Sequence, residues 1–283
     1  MKMNKTLLLL AGYGRTGTTS LWYNYLNQPF KAINGEKDPR YLINEPIPFT
    51  EIIQKKSMEQ YVDDYVEFLD REENKNFIAA DFSGQNYKID PKELERLAEY
   101  SKGRLEIKVL LSLRHPIDRM ESVYCKQMEK ILRQNLPINE KTLDPYQFLD
   151  DDMNYERTYN LFNQYFPMVV IDGVQYCKTF YRKKELSELI GYELPDLEKS
   201  NCKNKSLLNR KVKNGKLDFE YEHKDPEFTE DYLQEKPYNK VIKQNYEDRF
   251  AEGGFKNRWN AIVAAKYTAK YREDIETWKR LCF

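Results

Sequence analysis

Apolar residues fall into short unbroken runs, separated by longer stretches with helical spacing. Leu7 to Leu10 is the first run. It has strand length and no polar interruption, as a strand buried on both faces should. Glycines at 12, 14 and 17 follow, and Thr18, Thr19 and Ser20 open a helix with Leu21, Trp22, Tyr25 and Leu26 on its apolar face. Phe77–Ala80, Ile107–Leu113 and Met168–Ile171 read as further buried strands. Helical spacing predicts a helix over Ser57–Asp70, carrying Met58, Tyr61, Val62, Tyr65, Phe68 and Leu69. Pro91 opens another, with Asp90 as its cap. A third follows Pro116, Tyr155–Phe166 is a fourth, and Lys183–Ile190 is a short one stopped by Gly191. The run Met168–Ile171 is closed by Asp172-Gly173. Strands alternate with helices to about residue 190, which predicts an α/β fold with a parallel sheet covered on both faces.

Two stretches break this rhythm. Gln28–Thr50 carries Pro29, Pro39, Pro46 and Pro48 and reads as loop. Leu194–Tyr238 is polar, without a long apolar period, and reads as a long excursion from the core. Helical spacing returns over Tyr238–Phe250 and Trp259–Leu281, with Gly253-Gly254 between them. No repeat or linker interrupts the chain, so we expect a single domain over 1–283, with a core at about 5–206 and a variable region at 207–283.

Composition narrows the partners. Lys plus Arg and Asp plus Glu number 46 each, so no net field draws the chain to nucleic acid or to an anionic membrane surface. The four cysteines are scattered and only two histidines are present, which argues against a disulfide framework or a metal site. No apolar segment approaches the ~20 residues of a membrane helix. The run at Leu7–Leu10 passes straight into a glycine turn and reads as a strand, not a signal peptide. The expectation is a cytoplasmic protein.

The chemistry gathers at strand-to-helix turns. Backbone amides that converge at a helix N-terminus make an anion site, and Gly12–Ser20 is such a turn. Gly12 to Gly17 has the spacing of a nucleoside-triphosphate loop, yet Thr18 stands where that loop carries its lysine. The cation comes earlier, at Arg15, which suits a shorter 5′ anion with one transferable group. The second turn, Arg114–Ser122, places an arginine at a strand end and a serine in the following helix, a fork and a hydroxyl for a second phosphate. Two anion sites on one sheet edge point to a nucleotide phosphorylated at both ends. Arg119 reads as a helix-surface or ion-pair residue.

Arg15-Thr16-Gly17-Thr18-Thr19 resembles the 5′-phosphosulfate loop of sulfotransferases that use 3′-phosphoadenosine 5′-phosphosulfate (PAPS). Their 3′-phosphate motif, a strand ending in Arg-x-Pro with Arg at the sixth place and Ser at the ninth, is similar to Arg114-His115-Pro116-Ile117-Asp118-Arg119-Met120-Glu121-Ser122. His115 replaces the usual acidic residue. Lys37-Asp38 resembles the Lys-Glu pair of the carbohydrate-type members, and Leu194-Pro195 followed by Asn204-Lys205-Ser206 resembles a motif near the end of their core. The resemblance implies a phosphate-loop-like sulfotransferase fold. It implies PAPS held by Arg15, Thr16, Gly17, Thr18, Thr19, Arg114 and Ser122. It implies catalysis by Arg15, Lys37 and Asp38, with Asp38 as base and no metal. The acceptor is then a carbohydrate or small hydroxyl or amine compound, lined by Asp81 and Ser83. A small-molecule kinase and a catalytically silent nucleotide-binding protein are the alternatives.

Overall fold

Five strands run parallel in one sheet, in the order β2-β3-β1-β4-β5. They are β1 (Thr6–Leu10), β2 (Phe30–Lys31), β3 (Ile78–Asp81), β4 (Glu106–Leu113) and β5 (Met168–Asp172). This is a computed structural model, and it describes residues 5–25, 29–33, 42, 56–133, 153–195, 212–213, 216–217 and 267–283. The chain divides into two compact units. The first holds Met1–His115, Asn154–Asn204 and Glu276–Phe283; the second holds Pro116–Met153 and Lys205–Ile275.

The sheet belongs to the first unit, and β1 is central in it. All five β1 residues are buried, which is why its sequence is a run of leucines rather than an alternation. β1 pairs with β3 through Leu9↔Asp81 and with β4 through Leu10↔Leu110. β4 pairs in turn with β5, ending at Leu113↔Asp172. Helices flank the sheet: α1 (Thr18–Tyr25), α2 (Met58–Asp70), α3 (Pro91–Ser101), α5 (Tyr155–Asn163), α6 (Gly173–Thr179) and α7 (Lys183–Ile190). The core between them includes Leu8, Leu10, Leu21, Trp22, Phe30 and Phe82.

Local rules explain most boundaries. Ser57 and Gln60 form a capping box at the start of α2. Asp90 accepts from the Lys92 amide ahead of Pro91, as the sequence predicts. α7 ends at Gly191 in a left-handed conformation (φ 68°). Three details differ from the sequence reading. The proline-rich stretch after α1 contains the edge strand β2, only two residues long. Asp172-Gly173 closes β5 as expected but also opens a helix that the sequence reading lacked: Asp172 caps α6, accepting from the Val174 and Gln175 amides. α5 stops at Asn163, and its last predicted residues form a turn.

The described part of the second unit is mainly α4 (Pro116–Arg133) and a small antiparallel pair, β6 (Val212–Lys213) with β7 (Lys216–Leu217). Near the C-terminus, helix turns at 267–270 lead into α8 (Arg272–Cys282), with a break at Tyr271 where one predicted helix ran through. The predicted helix Tyr238–Phe250 lies outside the described residues. No helix among the described residues is long and apolar enough to cross a membrane.

Candidate functional site

The topology singles out one edge. The chain leaving β1 goes to β2 on one side of the sheet, and the chain leaving β4 goes to β5 on the other. β1 and β4 are neighbours, so their connections part in opposite directions. A crevice at the carboxyl ends of such a strand pair is where open α/β sheets bind ligands. Ala11–Gly17 leaves β1 at that point, and Arg114-His115 leaves β4 beside it.

The loop after β1 is built for close backbone approach. Ala11 N still donates to Leu110 O (3.0 Å), extending the β1–β4 ladder by one rung. Arg15 and Gly17 both have positive φ, 72° and 89°. An arginine held in the left-handed region is a local strain that the surroundings must impose. They do so through fixed contacts. Thr16 is buried, its hydroxyl donating to Tyr13 O (2.7 Å). Ser112 Oγ, on β4, donates to Thr16 O (3.0 Å). Arg114 Nη1 donates to Arg15 O (3.3 Å).

At Gly17 and Gly173 two backbones touch. A Cβ at Gly17 would lie 2.8 Å from Gly173 O, and a Cβ at Gly173 would lie 2.0 Å from Thr16 O. Only glycine fits either place. The end of β5 thus presses on the loop that begins α1. Leu21 N donates to Gly17 O (3.0 Å), so α1 starts here, with the amides of Gly17, Thr18, Thr19 and Ser20 at its N-terminal end. They make a positive end suited to an anion.

Tyr13 anchors the loop from behind. It is fully buried, stacked on Tyr87 with ring centroids 4.0 Å apart. Its hydroxyl meets Thr158 Oγ1 (2.8 Å), donates to Asn154 O (3.0 Å) and accepts from Asn154 N (3.1 Å). Tyr155, opening α5, donates its hydroxyl to Arg114 O (2.8 Å). One helix start therefore positions both the β1 loop and the β4 end.

His115 packs edge-on against Trp278 of α8, with centroids 4.9 Å apart at 89°. Trp278 Nε1 donates to Asp172 Oδ2 (2.9 Å). Asp172 thereby joins the cap of α6 to the C-terminal helix at the same sheet edge.

On the other side of β1, Asp81 ends β3 in full burial. Its Oδ1 accepts from Ser83 N (2.9 Å) and Asn86 Nδ2 (3.3 Å), and its Oδ2 accepts from Tyr61 OH (2.9 Å). Burial raises its pKa above the ordinary aspartate range, against the opposing pull of these hydrogen bonds. Burial beside that carboxylate also holds the Tyr61 hydroxyl neutral. Ser83 is likewise buried.

Of the residues named from sequence, Arg15, Thr16, Gly17, Thr18, Thr19 and Arg114 stand together at this edge, in the first unit. Asp81 and Ser83 end the neighbouring strand of that unit. Ser122 is buried on α4, within the second unit. Lys37 and Asp38 lie outside the described residues. Arg119, expected at the helix surface or in an ion pair, is buried, its Nη1 3.3 Å from Met153 Sδ. Sequence reasoning missed Ser112, Tyr13 and Gly173 as shapers of the loop. Only a lone serine in the apolar run IKVLLSL and a glycine just past a strand hinted at two of them. No protein-family model matches the chain, and no curated protein is significantly similar to it.

Proposed function

We propose that the protein is a sulfotransferase moving a sulfuryl group from PAPS to a hydroxyl or amine of a carbohydrate or small-molecule acceptor. The single observation that carries this reading is the contact between the two motifs. Arg114, just past β4, donates to the carbonyl of Arg15 in the loop after β1, on the edge where the strand connections diverge. An anion on the α1 amides and a second one on Arg114 then belong to one ligand.

The residues fit a donor phosphorylated at both ends. The Gly17–Gly173 approach leaves the α1 amides fixed before any ligand arrives, so little reorganisation accompanies binding. Arg15 and the amides of Gly17, Thr18 and Thr19 stabilise charge growing on the leaving 5′-phosphate. Lys37 offsets charge on the transferred group, and Asp38 takes the acceptor proton. The S–O bond to the phosphate breaks as a bond from sulfur to the acceptor oxygen or nitrogen forms. Arg114 holds the 3′-phosphate, and Asp81 and Ser83 line the acceptor side.

The test is nucleotide binding by calorimetry. Arg114→Ala should weaken 3′,5′-ADP by about a hundredfold, the cost of losing a charge-assisted fork, and should change 5′-AMP affinity little. Equal losses for both nucleotides would remove the 3′-phosphate role.

A further inference from the structure

One indole touches both strand ends that bear on the β1 loop. Trp278 of α8 is half-buried. Its ring meets that of His115 edge-to-face, and its Nε1 donates to Asp172 Oδ2. His115 follows Arg114, which donates to Arg15 O in the loop. Asp172 precedes Gly173, which lies against Thr16 and Gly17. Both contacts that shape the loop from outside are therefore made one residue away from a residue that Trp278 holds. All of these residues belong to the first unit.

The indole is itself held in place. Phe283 meets it edge-on (5.2 Å, 80°) and stacks on Tyr181 (6.0 Å, 13°), whose hydroxyl accepts from Asp172 N. Arg182 Nη1 bridges Val170 O of β5 (2.6 Å) and Leu281 O of α8 (3.0 Å), and Thr277 Oγ1 donates to Glu156 Oε2 (3.2 Å) at the start of α5. These contacts seat α8 against β5 and α5. Trp278 then fixes what lies beyond them. With Oδ1 of Asp172 accepting from the α6 amides and Oδ2 from Trp278, the carboxylate is clamped at both oxygens. The aromatic pair likewise orients His115. Rigid peptide planes join each held residue to its neighbour, so Arg114 and Gly173 have little room to move.

We infer that Trp278 is a positioning residue: through His115 and Asp172 it keeps Arg114 and the β1 loop in fixed relation. The effect on a bisphosphate nucleotide rests on the sulfotransferase reading. The fixing of the two turns does not.

Two variants of the full chain separate its two contacts. Trp278→Phe keeps a ring for His115 and removes the N–H for Asp172; Trp278→Ala removes both. Amide hydrogen exchange without ligand reads the positioning directly. In Trp278→Phe, the amides of Val174 and Gln175, which bond Asp172, and of Leu21, which bonds Gly17, should exchange faster, while α2 exchanges as in the wild type. Calorimetry reads the consequence. Trp278→Phe should weaken 5′-AMP and 3′,5′-ADP alike by about tenfold, the worth of one hydrogen bond. Trp278→Ala should weaken 3′,5′-ADP further than 5′-AMP, because Arg114 is loosened too, so the ring alone restores the ratio of the two affinities. Unchanged exchange at the three amides overturns the positioning, and so does exchange that quickens equally in α2, the mark of a purely structural residue. Wild-type nucleotide affinities in both variants, or one affinity ratio shared by both, overturn it as well. If the wild type binds neither nucleotide, the donor reading falls, and exchange in Trp278→Phe alone decides the positioning.

Discussion

Asp81 shows how one residue can serve position at a cost in stability. Its carboxyl gathers Tyr61, Ser83 and Asn86 at the end of β3, and its burial raises its pKa above the ordinary value of 3.8. A raised value in the folded state means that the fold prefers the protonated form. The contribution of Asp81 to stability is then most favourable below pH 3.8 and falls as pH rises from there through its raised native value. Asp81→Asn keeps an oxygen for the Ser83 amide and removes the titration. Urea unfolding of both proteins between pH 3.5 and 8 should show the stability difference shifting in favour of the variant as pH rises. A difference independent of pH would show that Asp81 has the same proton affinity folded and unfolded.

At the level of elements, the loop between β1 and α1 is set by pieces distant in sequence. α6 begins where Asp172 caps it, and that places Gly173 against Thr16 and Gly17. Gly173→Ala puts a methyl 2.0 Å from a backbone oxygen that no side-chain rotation can move. We expect a loss of about 1–3 kcal/mol, the usual cost of overpacking, together with weaker 3′,5′-ADP binding because the loop must shift. A variant as stable as the wild type would mean that the two backbones are not held as close as described. This contact also marks where sequence reading stopped. The buried strands were legible because both faces are covered and apolar residues run unbroken. α2, α3 and α7 were legible from their spacing and caps. α6 was not, because Asp-Gly is turn chemistry unless a helix follows, and only three-dimensional packing explains the glycine. β2, with two residues, has too short a pattern to detect. Arg15 and Arg114 were legible as motif residues. Their direct contact, and the packing of His115 on Trp278, join positions too far apart in the chain for periodicity to report.

Across the whole molecule, sheet order decides which ligand the edge suits. β1 and β4 carry the two turns and are neighbours, the arrangement that the proposed bisphosphate ligand requires. A triphosphate–magnesium ligand asks for something different: a lysine after the glycines and an acidic ligand for the metal. Thr18 occupies the lysine position. Ligand-linked stability separates these cases without any knowledge of the acceptor. At a hundredfold excess over Kd, a ligand that binds only the folded state adds about 2.7 kcal/mol. For a chain of this size each kcal/mol moves the melting midpoint by about 2 °C, so saturating 3′,5′-ADP should raise it by roughly 5 °C. ATP with magnesium at equal concentration should raise it by much less. The reverse order, a large shift with ATP–magnesium and none with 3′,5′-ADP, favours a kinase. A 3′,5′-ADP shift without transfer to any acceptor leaves the edge as a nucleotide-binding surface. The thermal order thus tests the sheet edge as a unit: on the proposed reading the bisphosphate shift depends on both turns, and either turn alone would hold only half of the ligand.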